Sequence, residues 1–232
     1  MGQEVDKIDF TISDFKLFSD RLGQETELLH ELLSQQTFKD TRSVTGYELE
    51  AWLVDRNLFP TPLNQEILNS LNNPLVVPEL SRFNIELNGT PQELNENALG
   101  KLHTELENTL ANCQSVAHSH QATMMLIGTL PTLRNCDLCM ANITPSNRFN
   151  ALNKQVLKAR KQRAIKLEIY GEENLSVTHH DVMLEAAATS FQIHLQTPPE
   201  SFVQHFNASI LLSAFTVAAG SNSPYLFGYN LW

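Results

Sequence analysis

The sequence predicts a mixed α/β fold in which one sheet carries helices on one face and a polar surface on the other. Segments with apolar residues at helical spacing alternate along the chain with shorter segments of strand character. Three of the strand segments alternate apolar side chains with carboxylates, amides or imidazole. No linker or repeat interrupts the 232 residues, so we predict a single domain over 1–232, with a helical segment as far as residue 40.

The first half of the chain supplies two helices and two strands. A long helix is predicted first, because its apolar residues recur at helical spacing and Ser13 can cap its start. A proline-containing turn at 57–64 then separates the first strand from a short helix. The predicted bounds are 12–36 for the long helix, 43–55 for the first strand, 65–72 for the short helix and 83–88 for the second strand.

The second half continues the alternation. Its predicted elements are helices at 94–118 and 147–163, strands at 123–130, 165–170 and 185–196, and an apolar helix at 199–219. The most apolar run, residues 208–220, is shorter than the roughly 18 apolar residues that a membrane-spanning helix needs. We therefore predict a buried core helix there and no membrane association.

Composition limits the class of protein. The chain has 16 basic and 26 acidic residues and a net charge of -10, which repels phosphate backbones and argues against a nucleic-acid partner. The amino terminus lacks the basic and apolar regions of a secretory signal. Three cysteines are too few for a disulfide framework. We expect a cytoplasmic protein.

The strand 43–55 places two carboxylates on one face. Alternate side chains of a strand share a face, so Glu48 and Glu50 point the same way with their Cα atoms roughly 7 Å apart. In the other two strands, polar residues again alternate with apolar ones. The predicted apolar sets are Leu49, Ala51 and Leu53; Phe83, Ile85 and Leu87; and Phe191, Ile193 and Leu195. The predicted polar sets are Glu48 and Glu50; Asn84, Glu86 and Asn88; and Ser190, Gln192, His194 and Gln196.

Two interpretations of the polar face are open. Antiparallel sheets often expose a polar face to water, which is the simpler explanation. The three strands, however, offer carboxylates, amides and imidazole without a basic side chain among them. Clustered carboxylates raise one another's pKa unless a cation neutralises them, and hard oxygen ligands favour Mg²⁺ or Mn²⁺. The second interpretation is therefore a metal site that also holds substrate phosphates.

Motifs in the same order resemble glutamate-cysteine ligase family 2, within the glutamine-synthetase-like carboxylate-amine ligases. The resemblance begins near residue 40 and continues to the last residue. It is carried by GYELEAWLVD, PELSRFNIELNGTP, GTLPTL, ITPSNRFNALN, LEAAATSFQIHLQ and NSPYLFG. It implies a mainly antiparallel, curved sheet with helices on one face and a concave, polar active-site face.

The resemblance also implies an activity. Family members use ATP to phosphorylate the γ-carboxylate of glutamate, and an amine such as that of cysteine attacks the acyl phosphate. Metal ions, Mg²⁺ or Mn²⁺, bridge the ATP phosphates to the concave sheet. The residues implied as metal ligands are Glu48, Glu50, Glu79, Glu86, Gln192 and His194, with Glu50 and Glu86 essential for catalysis. Arg148 and Ser190 are the implied substrate-binding residues.

Two departures from the family leave other functions open. Gln192 stands where many relatives have a metal-binding histidine, and the chain is shorter than family members, so we expect the N-terminal part of a longer ligase that self-associates through an exposed edge. A non-catalytic binding module of the same fold is the first alternative. A thiol protein using Cys136 and Cys139 is a more remote one.

Overall fold

The computed structural model describes residues 3–38 and 42–231, which form a mixed α+β fold. The helices are α1 (Ile12–Ser34), α2 (Asn64–Leu71), α3 (Ala98–Ser119), α4 (Asn147–Ala159) and α5 (Phe202–Gly220). The first five strands are β1 (Val44–Val54), β2 (Val76–Pro78), β3 (Asn84–Asn88), β4 (Gln92–Glu93) and β5 (Thr123–Met125). The remaining strands are β6 (Ile165–Tyr170), β7 (Asn174–His179), β8 (Phe191–Gln196), β9 (Tyr225–Leu226) and β10 (Tyr229–Asn230).

The principal sheet is built around β1. This strand has 11 residues, and β3, β4, β5 and β8 all pair with it in antiparallel register. β2 extends the sheet beyond β3, also antiparallel, to give six strands. Two separate antiparallel hairpins, β6–β7 and β9–β10, lie outside this sheet. β1 is long enough for two strands to pair with it along the same edge. β8 pairs with its first half, and β5 pairs with its last three residues.

The helix-covered face of the sheet forms one core. Leu49, Ala51 and Leu53 of β1 pack there with Ile85 and Leu87 of β3, as the period-two pattern predicts. Helices α2 and α3 cover them with apolar side chains, which include Ile67, Leu102, Cys113 and Ala117. This face confirms the predicted apolar side of the two central strands.

A second core covers part of the face that was expected to be polar. Trp52 and Val54 share the face of Glu48 and Glu50, yet both are fully buried. Trp52 donates a hydrogen bond from Nε1 to the Ile127 carbonyl at 2.8 Å and stacks on Phe83, with ring centroids 5.7 Å apart. Phe83 precedes β3 and packs in this second core, so its predicted place beside Ile85 and Leu87 was wrong. On β1, the polar surface therefore ends at Glu50, before Trp52.

Two other expectations are corrected. Helix α1 is capped by the Thr11 side chain, in a capping box with Asp14, and Ser13 instead contacts the Thr11 hydroxyl. Helix α5, expected in the core, has no buried residue. With its preceding turn it forms one 22-residue helical segment, Pro199–Gly220, long and apolar enough by length and composition to cross a membrane. A helix that is apolar on all sides is normally buried, so the exposed α5 leaves a large apolar surface uncovered by the rest of the described chain.

Candidate active site

Strands β1 and β3 bring two carboxylates directly opposite one another. The register pairs Glu50 with Glu86 and Glu48 with Asn88, so all four side chains lie on the same face. Directly paired residues in an antiparallel sheet have Cβ atoms about 5 Å apart. Glu86 is buried, and the Asn88 side chain donates to its Oε1 at 2.9 Å. The sheet therefore concentrates negative charge at its centre.

Strand β8 borders the same carboxylates from the other side of β1. Gln192 pairs with Glu48, and His194 Nε2 lies 3.6 Å from Glu48 Oε2. The residue before β8, Ser190, donates to Glu50 from its backbone N at 3.1 Å and from its hydroxyl at 2.7 Å. These contacts place polar side chains from three strands around one carboxylate pair.

Burial is the largest influence on the pKa of Glu50. Loss of hydration raises the pKa of Glu50, and the nearby charges of Glu86 and Glu48 raise it further. The two hydrogen bonds from Ser190 act in the opposite direction without reversing the shift. A carboxylate with these surroundings gains strongly from a neighbouring cation.

Glu79 joins the group from the segment between β2 and β3. Its burial, together with the charges of Glu86 and Glu50, raises the pKa of Glu79 to about 8. Its side chain also forms a hydrogen bond with Glu86, which favours the protonated form of Glu79. The Leu80 backbone N–H donates to Glu79 Oε2 at 3.1 Å and partly offsets this effect. Glu79 is therefore the carboxyl that holds a proton at neutral pH.

Glu185 is a fifth carboxyl that the sequence pattern did not indicate. It lies in the 3₁₀ turn Met183–Ala187, where burial and the charge of Glu50 raise its pKa. Period-two reasoning cannot find it, because this turn has no strand alternation. Its place in LEAAATSF, a few residues before β8, is the signal that could have indicated it.

The carboxylate oxygens of the site suit a hard divalent cation, but they are arranged as pairs of ligands and not as a complete ligand set. Within residues 3–38 and 42–231, no group of three or more His, Cys, Asp or Glu side chains is close enough to hold a metal ion. Mg²⁺ commonly takes one or two carboxylates and fills its remaining positions with water and substrate phosphates. The opposed Glu50 and Glu86, with their neighbours Glu48 and Glu79, supply such pairs.

A cavity of about 220 Å³ adjoins the carboxylates. Glu79 and Glu86 line it, together with Ser146, Arg148 and Phe149 at the start of α4. The Arg148 guanidinium carbon lies 4.4 Å from the centre of the Phe149 ring. Arg148 thus lines the same cavity as two of the carboxylates, although it belongs to α4 and is more distant along the chain.

The two neighbouring cysteines lie outside this group. Cys136 is exposed, Cys139 is half-buried, and both thiols are free. The segment around them is held by Arg134, which donates to Asp137 from Nη2 at 2.7 Å. Neither thiol is buried beside the carboxylates that line the cavity.

The sequence-predicted residues therefore fall into two places. Those on the polar face of the sheet are Glu48, Glu50, Glu86, Ser190, Gln192 and His194. Those at the adjoining cavity are Glu79, Glu86 and Arg148. Glu86 belongs to both, which makes one continuous candidate site.

Comparison with known proteins gives two similarities. The family model described as glutamate-cysteine ligase family 2 (GCS2) matches residues 44–232. A 2.0 Å crystal structure of glutamate-cysteine ligase from Francisella tularensis, in complex with AMP, has a TM-score of 0.45 and 15% identity to this chain. The match covers 79% of this chain and 31% of that one, so this chain spans about a third of that protein's length. No curated protein matches the chain significantly.

Proposed function

The chain belongs to glutamate-cysteine ligase family 2, and from this membership we propose that it carries out ATP-dependent ligation of a carboxylate to an amine. Glutamate is the proposed carboxylate substrate, and cysteine is the proposed amine, joined through a γ-glutamyl phosphate. One observation carries the proposal: Glu50 and Glu86 are paired across two strands on a polar face, with Glu79 and Glu48 beside them. Phosphoryl transfer depends on charge neutralisation and positioning more than on a strong base.

We assign the metal-binding role to the carboxylates. Glu48, Glu50 and Glu86 would hold Mg²⁺ or Mn²⁺ from the sheet, and Glu79 would join them on losing its proton. When bound, the cations would neutralise phosphate charge during transfer. Ser190 orients Glu50 through two hydrogen bonds, which fixes where that carboxylate can meet a cation.

The remaining assignments follow from position. Gln192 lies opposite Glu48 and offers an amide oxygen, a neutral ligand that suits a hard cation. His194 is close enough to Glu48 to form an ion pair when protonated, so it acts either as a further ligand or as a partner that orients Glu48. Arg148 would attract an anionic substrate group at the cavity it shares with Glu79 and Glu86.

Formation of ADP tests the proposal. The 232-residue chain is incubated with ATP, Mg²⁺, glutamate and cysteine, and we expect ADP release that requires all four components. Glu50→Gln and Glu86→Gln should each lower the rate by at least about 100-fold, as loss of a group that stabilises transition-state charge does. Glu168→Gln is the matched control, because Glu168 is exposed on the separate β6–β7 hairpin. Equal rates in Glu50→Gln and Glu168→Gln would remove the proposed site.

A non-catalytic binding module is the second candidate. Gln192 favours it, because an amide opposite Glu48 supplies no charge to a metal site. Calorimetric titration with MgATP and with glutamate separates the two functions. Binding of either ligand without ADP release supports the module, whereas ADP release supports the ligase.

A further inference from the structure

A buried polar cluster joins the segment that carries Glu79 to the segment that precedes α4. No member of the cluster is more than 3% exposed, and the members are Asn64, Ser81, Asn84 and Thr144. Amide and hydroxyl side chains are seldom buried this completely unless they form hydrogen bonds. The contacts of these four side chains therefore account for their place inside the protein.

Thr144 contacts the backbone of Glu79 directly. Its hydroxyl donates to the Glu79 carbonyl at 2.5 Å and accepts from Asn64 Nδ2 at 2.9 Å. Its backbone N–H donates to the Leu80 carbonyl at 2.8 Å. The Leu80 N–H in turn donates to the Glu79 side chain at 3.1 Å. The position of the Glu79 carboxyl is thus coupled to Thr144 through two successive peptide groups.

Asn64 holds the other end of these contacts. It is the first residue of α2, and its backbone N–H donates to the Arg82 carbonyl at 2.9 Å. Its side-chain Nδ2 donates to the Ser81 carbonyl at 3.2 Å as well as to the Thr144 hydroxyl. Asn64 therefore connects α2 to the residues that follow Glu79 and to Thr144 at the same time.

The same contacts fix where α4 begins. Ser81 and Ile143 form an antiparallel bridge, which pairs the segment after Glu79 with the segment before α4. Four residues after Thr144, Arg148 lines the cavity of about 220 Å³ that Glu79 also lines. The polar cluster thus joins two segments that each contribute a charged side chain to one cavity.

Stability alone does not explain a polar cluster at this place. Asn64 Oδ1 and Asn84 Nδ2 are buried and have no hydrogen-bond partner among the described residues. A buried polar atom without a partner lowers stability, and well-packed apolar side chains of similar volume avoid that cost. Defined geometry between the two segments is the advantage that the hydrogen bonds supply instead.

We propose that Asn64 and Thr144 are positioning residues, which act through the backbone of Glu79 to hold its carboxyl at the cavity shared with Arg148. Within the described part of the chain, neither residue lines this cavity, so the effect passes through the peptide groups of the Glu79 segment. The positioning itself requires no turnover. Its use in presenting Glu79 to a cation rests on the proposed function.

Hydrogen exchange of the Leu80 amide, followed by nuclear magnetic resonance, tests the positioning without any cation. Thr144→Val keeps the shape of the side chain but removes the hydroxyl, so the Glu79 carboxyl should leave the Leu80 N–H and exchange should become several-fold faster. Thr144→Ser restores the hydroxyl and should restore the slow exchange. Thr109→Val makes the same change at a buried threonine of α3 and should exchange like the wild type.

Magnesium affinity tests what the positioning is used for. MgCl₂ is titrated at pH 8 and constant ionic strength into the same variants of the 232-residue chain, with the shift of the Leu80 amide signal as the measure of binding. Thr144→Val should weaken binding at least about tenfold, as changes beyond the metal ligands typically do. Thr144→Ser and Thr109→Val should bind like the wild type. Asn64→Ala, which removes the donor to Thr144, should weaken binding in the same direction, and circular dichroism checks that the helices persist.

Three outcomes separate the possibilities. Wild-type exchange and wild-type magnesium affinity in Thr144→Val would overturn the positioning role. Equal effects of Thr144→Val and Thr109→Val would overturn it too, because they would reflect a general loss of stability. Faster Leu80 exchange in Thr144→Val alone, with no magnesium binding by the wild type, would retain the positioning role and remove the proposed cation site.

Discussion

At the scale of residues, the site is governed by the competition between hydration and pairing. Glu50 receives two hydrogen bonds from Ser190, and yet its pKa is raised because burial and the neighbouring carboxylates outweigh them. Glu4 shows the opposite balance: it is exposed, and a hydrogen bond from Ser146 lowers its pKa. The same side-chain chemistry therefore suits a cation at one position and an anion-binding helix start at the other.

Glu79 makes stability depend on pH. Its pKa is about 8 in the folded chain against the ordinary 4.5, so the folded state holds the proton more tightly than the unfolded state. The stability that this tighter proton binding gives to the folded state is fully present below pH 4.5 and is lost as the pH rises to about 8. Without divalent cations, the free energy of unfolding of the wild type should fall over that range by an amount on the order of 1–3 kcal/mol, a figure that allows for solvent screening. Glu79→Gln should abolish this fall.

Urea unfolding at a series of pH values measures this effect. Glu79→Gln should give a flatter curve of unfolding free energy against pH, since glutamine keeps an acceptor for the Leu80 N–H. Glu168→Gln, a change at an exposed strand residue, should leave the wild-type slope intact. Parallel curves for Glu79→Gln and the wild type would show that Glu79 titrates normally.

Strand alternation located only the site residues that lie on strands, whereas Glu79 and Arg148 were expected from the family resemblance alone. Glu48, Glu50 and Glu86 were predicted to share a face because alternate strand residues do, and the register confirms this arrangement. Glu185 lies in a turn without such a period. Glu4 contacts α4 from 142 residues away, a distance that no local pattern encodes.

At the scale of elements, the bounds of long periodic strands were predicted well, and the short strands were predicted poorly. β1 and β3 appear within a residue or two of their expected bounds, because each is long enough to show its alternation. The expected strand 123–130 is only Thr123–Met125, and the hairpin strand β7 was not anticipated. Short strands are fixed by the partner they pair with, which a single sequence does not display.

The exposed helix α5 gives a prediction at this scale. Leu211 in α5 is 73% exposed, whereas Ile85 in β3 is fully buried. Ile85→Ala should lower the free energy of unfolding by about 2–5 kcal/mol, through lost burial and the cavity left behind. Leu211→Ala should change it by about 0.5 kcal/mol or less. Chemical denaturation compares the two, and an equal loss for Leu211→Ala would show that α5 is packed in solution.

At the scale of the whole molecule, two cores and the negative charge position the site. One core lies beneath α2 and α3, and the other surrounds Trp52 on the opposite face of the sheet. Between the second core and the exposed strand β8, the polar face contains Glu48, Glu50 and Glu86. Sequence patterning predicted the β1 and β3 part of the first core, but Phe191, Ile193 and Leu195 of β8, predicted for the same apolar face, are exposed. It missed the second core because loops and 3₁₀ turns contribute most of that core's apolar residues.

Magnesium should therefore stabilise the chain as a whole. The net charge is -10, and the grouped carboxylates raise one another's pKa, so a bound cation relieves repulsion in the folded state. At a concentration of 100 times its Kd, a ligand specific to the folded state adds about 2.7 kcal/mol to the free energy of unfolding.

Thermal unfolding at pH 8 should show a higher Tm with MgCl₂ than with NaCl of equal ionic strength, because general screening acts in both. The increment should shrink at pH 6, below the pKa of about 8 of Glu79, because protons compete with the cation for this carboxylate. It should be lost in Glu86→Gln but retained in Glu168→Gln. The same rise in Tm with both salts would mean that the carboxylates hold no specific cation.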